Sequence, residues 1–334
     1  MDMRTEYLGL QLAHPIIASA SPITASVDDI RRLEDAGAAA IVMPSLFEEQ
    51  LRQEAMAMDR LMAAGEESFA EATSYFPPVA DSHGGLDRYL ETLRQASEAA
   101  DIPIIGSLNG ISAEGWVGYA TGVESAGASA IELNVYYIPA DLAESGQDVE
   151  QRYIDVVRAV KSSVSVPLAV KVGPYFSAFG HMARELVLAG ADGLVLFNRF
   201  YQPDYDIDKL EIARTLELSA AGEIRPGLLW IALLYGRLGA SLAATTGVED
   251  YRQVVKYLMA GADVVMTTSS LLRQGAGFIG QLRDGLSHWL LERDYGQVDD
   301  VRGCMSLDRV PDASAYERAN YIRILEEFEL AATG

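Results

Sequence analysis

Cysteine is almost missing from this chain: Cys304 is the only one in 334 residues. A single thiol closes no intrachain disulfide, and it excludes iron–sulfur or zinc sites built from clustered cysteines. Basic residues are also scarce, 26 Lys and Arg against 48 Asp and Glu, for a formal net charge of -22. Such a surface repels nucleic acid and anionic membranes, so neither is expected as a partner. No uninterrupted apolar run approaches the roughly 18–20 residues that span a bilayer. The opening Met1-Asp2-Met3-Arg4-Thr5-Glu6 lacks the apolar centre of a signal peptide. A soluble, cytoplasmic protein is the expectation. Of the four histidines, His83, His181 and His288 are too scattered to suggest a metal site, and His14 falls by the N-terminal hairpin described below. No metal is expected.

What is present is regular. Ala36-Gly37-Ala38, Ala126-Gly127-Ala128, Ala189-Gly190-Ala191 and Ala260-Gly261-Ala262 each end an amphipathic segment and lead into an apolar one. Glycine just past a helix is a left-handed cap, and the short apolar run that follows reads as a buried strand. Asp101-Ile102-Pro103 and Ser165-Val166-Pro167 use proline as the helix stop. Strands are expected at about 15–19, 39–43, 103–107, 130–135, 167–172, 193–197, 240–244 and 263–267, with helical patterns such as 152–161 and 248–259 between them. Continuous apolar strands are covered on both faces. Eight of them with helical crossovers predict an α/β fold, a (β/α)8 TIM barrel, over one domain spanning 1–334. An open doubly wound sheet is the alternative, but no Gly-x-Gly-x-x-Gly follows the first strand. Long insertions follow strand two (46–100) and strand six (201–239). Residues 6–12 alternate around Gly9 as a hairpin closing the barrel bottom. A surface helix is expected over Ala315 to Leu330.

In such barrels chemistry sits at the C-terminal strand ends. The chain has only four lysines, Lys161, Lys171, Lys209 and Lys256, and Lys171 lies inside the apolar run 167–172. A buried ammonium is expensive without a partner, so an anion is expected beside it. Asn109, Asn134 and Asn198 stand at other strand ends. Thr245-Thr246-Gly247 and Thr267-Thr268-Ser269-Ser270 follow strands seven and eight, where barrels of this kind hold phosphate. Taken singly, an Asn at a strand end caps a loop and a Ser/Thr cluster caps a helix. Together they form a phosphate grip, one cation and several flat amides. That set suits a phosphorylated planar cofactor such as FMN, with Lys171 near the N1/O2 edge of the ring and the reduced flavin as its anion.

The chain resembles the dihydroorotate dehydrogenases, and more narrowly their soluble class 1 members. Tyr7-Leu8-Gly9-Leu10 with His14-Pro15-Ile16 resembles that family's opening. Ala20-Ser21 stands where the family touches flavin. Leu133-Asn134-Val135 begins its Leu-Asn-Leu-Ser-Cys-Pro-Asn motif. Val170-Lys171-Val172-Gly173-Pro174-Tyr175 resembles its flavin-contacting lysine segment, and Asn198 its next substrate-binding asparagine. Thr246-Gly247 and Thr268-Ser269 take the places of its phosphate-loop Gly-Gly and Gly-Thr. The resemblance implies FMN bound by Ala20, Ser21, Ser45, Asn109, Asn134, Lys171, Thr246, Gly247, Thr268 and Ser269. It also implies oxidation at a CH–CH bond, dihydroorotate to orotate in pyrimidine biosynthesis, and a homodimer. The departures matter. The family's Cys or Ser base falls at Tyr137, its second motif asparagine at Pro139, and its Lys-Ser after strand two reads Pro44-Ser45. An unperturbed tyrosine, with pKa about 10, is a poor base at neutral pH.

Three readings follow. The first is an FMN-dependent oxidoreductase of the dihydroorotate dehydrogenase type, with Lys171 tuning the flavin, Asn134 and Asn198 orienting substrate and Tyr137 handling the second proton. In the second, the chain is a flavin-binding electron-relay partner of a larger redox enzyme. The third makes Lys171 the Schiff-base lysine of an aldolase. The acceptor stays open among fumarate, a ferredoxin-type protein and NAD through a partner. The apolar segment 227–238 around Trp230 is either an interface or core.

Overall fold

The computed structural model describes residues 1–48, 85–110, 113–199, 202–213, 217–316, 320–322 and 325. The barrel strands are β3 (Ile16–Ala18), β4 (Ile41–Phe47), β5 (Ile104–Asn109), β6 (Ala130–Asn134), β7 (Leu168–Val172), β8 (Gly193–Leu196), β11 (Ser241–Ala244) and β12 (Val264–Thr267). They form a closed parallel barrel in that order, sealed by the pairing of β12 with β3, Val265 opposite Ile16. All eight expected strands are present, each within a few residues of its expected bounds. Helices Val27–Asp35, Gly85–Ala99, Ala113–Ser125, Gly146–Lys161, Phe179–Leu188, Arg225–Leu234, Tyr251–Ala260, Ser269–Gln274 and Phe278–Leu291 surround it.

Local chemistry places these elements. Ser26, Ser145 and Asp250 accept the backbone N–H of Asp29, Asp148 and Arg252, so three helices start on side-chain caps. The four Ala-Gly-Ala glycines have φ of 94, 95, 114 and 120°, the region glycine enters without a Cβ penalty. Each turns a helix end back into a strand. Along β6 and β7 the odd residues of one and the even of the other, Ile131, Leu133, Leu168 and Val170, pack outward under the helices. Ala130 and Ala169 point into the barrel with Ile17, Val42, Ile105, Val195, Ala243 and Val264. By the period of two, Glu132, Asn134 and Lys171 point inward as well.

The expected hairpin is β1 (Thr5–Tyr7) with β2 (Leu10–Leu12). Tyr7, Leu8 and Leu12 are buried among the inward-facing residues, so the hairpin plugs the barrel bottom. His14 lies beyond the hairpin, in the connection to β3, where it is buried. Ile16 N–H donates to its Nδ1 at 3.2 Å, so Nε2 carries the proton and donates to Gly37 O at 2.7 Å.

The second insertion carries a hairpin, β9 (Asp204–Asp206) and β10 (Glu211–Ala213), and the helix Arg225–Leu234. In that helix Ile231, Ala232 and Leu234 are buried and Trp230 meets Phe179 at 5.0 Å, so this side of the segment packs into the core, while Leu229 stays exposed. Most of the first insertion, 49–84, lies outside the described residues. At the expected C-terminal helix, Ala313–Tyr316 is a single 3-10 turn, residues 320–322 and 325 are helical, and the rest lies outside the described residues. No helix among the described residues is long and apolar enough to cross a membrane.

Candidate active site

Register brings the site together. Asn109 on β5 is level with Asn134 on β6, and Asn134 with Lys171 on β7. All three are buried at the C-terminal end of the barrel. Asn198, just past β8, donates from Nδ2 to Asn134 Oδ1 at 2.8 Å. The two amides therefore form one linked edge beside the lysine. Ser45 on β4 shares a 2.8 Å hydroxyl–hydroxyl bond with Ser107 on β5, one step below Asn109.

Next to this wall a cavity of about 240 Å³ is lined by Ala20, Ser21, Lys171, Asn198, Thr246, Gly247, Thr268 and Ser269, among others. Eight of the sequence-expected residues thus meet in one place. Ser45, Asn109 and Asn134 stand on the adjoining barrel wall and do not line the cavity. Two local features mark the rim of the cavity. The Ser21 hydroxyl is buried with no hydrogen-bond partner among the described residues, which costs about 1–3 kcal/mol unless something satisfies it. At Gly247, φ is +71°, and an added Cβ would stand 2.9 Å from Ile224 N and 3.0 Å from Ala220 O. Only glycine lets the backbone pass there.

The polar groups along this rim are already engaged within the protein. Gly247 N–H donates to Ser219 Oγ at 3.1 Å, and Ser219 N–H donates to Ser269 Oγ at 3.1 Å. Thr246 and Thr268 donate to Phe197 O and Ser19 O at 3.1 and 3.3 Å. Arg273 holds the Ser219 loop by donating to Leu218 O and Ser219 O. Ser219 was not among the expected residues; the hydroxyl doublets after strands seven and eight gave no hint of a third hydroxyl arriving from the second insertion.

The anion beside Lys171 is Glu132. Lys171 Nζ lies 3.3 Å from Glu132 Oε1, and the carboxylate is 1% exposed. An internal carboxylate, which the sequence reading did not assign, is thus a partner of the lysine. A signal was available, since Glu132 is a charge inside the apolar run 130–135 just as Lys171 is in its own. The field of Glu132 is felt below and beside it. Burial, and then Glu132's charge, push the Tyr7 phenol far above its ordinary range. Burial raises Tyr89 as well, against a backbone hydrogen bond at Ser107, with Glu132 adding. The other cation at the cavity, Arg199, is paired to Glu223 at 2.9 Å.

Tyr137 is half-buried and turned elsewhere. Its hydroxyl donates to Glu144 Oε2 at 2.6 Å, Arg152 pairs with the same carboxylate, and the guanidinium stacks 4.3 Å from the centre of the Tyr137 ring. Tyr137 does not line the cavity. Among the described residues no group of three or more His, Cys, Asp or Glu is placed to hold a metal.

A family model described as dihydroorotate dehydrogenase matches residues 81–290. The chain belongs to the dihydroorotate dehydrogenase family. Among similar proteins is the dihydroorotate dehydrogenase B (NAD(+)) catalytic subunit of Methanothermobacter thermautotrophicus, 26% identical over 311 residues, covering 90% of this chain and 97% of that one. The subunit of the same name from Thermoplasma volcanium is 25% identical over 307 residues, covering 90% and 98%. As a member of a dehydrogenase family on a parallel barrel, the chain is assigned to the oxidoreductases.

Proposed function

We propose that this chain is an FMN-dependent oxidoreductase acting at the CH–CH bond of a small, flat, amide-bearing substrate, with dihydroorotate the first candidate. The observation that carries the reading is Lys171 beside the linked Asn134–Asn198 amides, at the wall of a cavity edged by Ser21, Thr246, Gly247, Thr268 and Ser269. FMN, when bound, would supply the two-electron acceptor. Lys171 would present a fixed positive charge to the cofactor ring. Asn134 and Asn198 offer donor and acceptor edges that suit a planar imide. Ser21, Thr246, Gly247, Thr268 and Ser269 would hold the phosphate once Ser219 yields Gly247 N–H and Ser269. Tyr137 would move the second proton only after its hydroxyl leaves Glu144 and turns to the cavity. We read residues 1–334 as one FMN-binding domain of a cytoplasmic homodimer. The similar proteins named catalytic subunits support a separate electron-transfer partner for this chain as well.

The test is reconstitution. Protein lysed gently and incubated with FMN is expected to show bound-flavin absorbance, and anaerobic dihydroorotate is expected to bleach it in stopped flow. Absence of bound flavin would sink the proposal. A second reading, an electron relay without its own turnover, draws on Tyr137 being turned to Glu144 and away from the cavity. Bound flavin that a protein donor reduces but dihydroorotate does not would favour the relay; fast bleaching by dihydroorotate excludes it. The aldolase reading is weakened by Glu132, because a Schiff-base lysine needs its Nζ free to attack a carbonyl and here Nζ is engaged by a buried carboxylate at 3.3 Å.

A further inference from the structure

We infer that Glu132 is a positioning residue for Lys171: it anchors the ammonium from below at the edge of the cavity, and sets how strongly that charge draws electrons onto the cofactor. The inference rests on the proposed flavin site. Its physical basis is the geometry of the pair. Glu132 is two residues below Asn134 on the same strand face, and Asn134 is level with Lys171, so the lysine side chain meets the carboxylate diagonally across two neighbouring strands at 3.3 Å. Glu132 Oε1 takes that contact, while Oε2 is buried with no hydrogen-bond partner among the described residues. Neither Tyr7 below nor Tyr89 beside it donates to Glu132: Tyr89 O–H is given to Ser107 O, and Tyr7 O–H has no partner. A carboxylate kept for stability alone would be expected to have its second oxygen satisfied. This one has a single function visible in its contacts, which is to face Lys171.

The pair is close to neutral as a unit. A cofactor at the mouth that gains negative charge on reduction therefore meets an ammonium already partly balanced from below. Removing the Glu132 charge leaves Lys171 to balance the reduced cofactor alone, so reduction becomes more favourable.

The experiment compares wild type, E132Q and E132D, each loaded with FMN. The midpoint potential of bound FMN is expected to rise in E132Q by at least tenfold in the reduction equilibrium, about 30 mV for two electrons. E132D, which keeps the charge but withdraws it by one methylene, is expected to fall between. A cofactor-free reading runs in parallel: trinitrobenzenesulfonate should label Lys171 at least tenfold faster in apo E132Q than in apo wild type, with exposed Lys209 unchanged. If E132Q does not fold, E132D carries the same tests with smaller changes of the same sign. Flavin bound equally with coincident potentials overturns the inference and leaves the proposed function standing, as does unchanged Lys171 labelling. Failure of the wild type to bind FMN overturns both.

Discussion

Removing either member of the Lys171–Glu132 pair strands the other as a buried, uncompensated charge. K171M is therefore expected to lose about 3–5 kcal/mol, and the K171M/E132Q double variant distinctly less than the sum of the two singles. Urea unfolding of the four proteins checks this, and additive losses would show that the two charges do not stabilise each other. His14 gives the residue scale its pH dependence. Burial holds its imidazole below the ordinary range, the Gly37 carbonyl opposing and the Arg283 charge adding. The unfolded chain titrates at about 6.5. Above that pH His14 is neutral in both states and its contribution is fully present. Below it the unfolded state takes up the proton first, so stability falls as pH drops toward the lower folded value. Urea midpoints measured from pH 7 to 5 should decline, and H14Q should flatten the slope by up to one proton.

At the scale of elements, the turn at Gly247 links β11 to the helix Tyr251–Ala260 and forms part of the cavity rim. Its positive φ and the backbone atoms of Ile224 and Ala220 leave no room for a side chain. G247A is expected to cost more than about 1 kcal/mol from the left-handed backbone alone. It should also weaken FMN binding tenfold or more, read by fluorescence titration; unimpaired binding would remove this turn from the cofactor site. The hairpin β1–β2 acts at the other end. Its Tyr7, Leu8 and Leu12 fill the barrel floor, so the polar residues Glu132 and Lys171 sit above a closely packed, largely apolar layer. That layer keeps water from reaching the pair from below, which is why the pair's mutual orientation matters.

For the whole molecule the dominant quantity is a net charge of -22. Exposed ion pairs such as Arg94 with Glu91 and Glu98 offset a little of it, but exposed pairs contribute only about 0–1 kcal/mol each. Self-repulsion is left, and salt screens it: the Debye length shrinks from about 10 Å at 0.1 M to about 3 Å at 1 M. The melting temperature is expected to rise over that range, measured in sodium chloride to avoid the exclusion effects of sulfate. A flat or falling curve would mean that repulsion is not what limits stability.

The eight strands, the hairpin and the strand-end residues were legible in the sequence because their signals are local. Apolar runs, a glycine after each helix and a proline before a strand are read within a few residues, and a barrel converts strand order into a common mouth. That is how Ser21, Lys171, Asn198, Thr246 and Gly247 could be placed together in advance. Partnership was not legible. Glu132 and Lys171 are 39 residues apart, and only the register of β6 against β7 sets them within reach. Ser219 reaches Gly247 across the second insertion, and Tyr137 turns to Glu144 because the helix Gly146–Lys161 brings Arg152 over its ring. The sequence by itself determined which residues stand at the barrel mouth. The tertiary structure decided which of them face one another, because a hydrogen bond or ion pair depends on distances of a few ångströms that no one-dimensional pattern encodes.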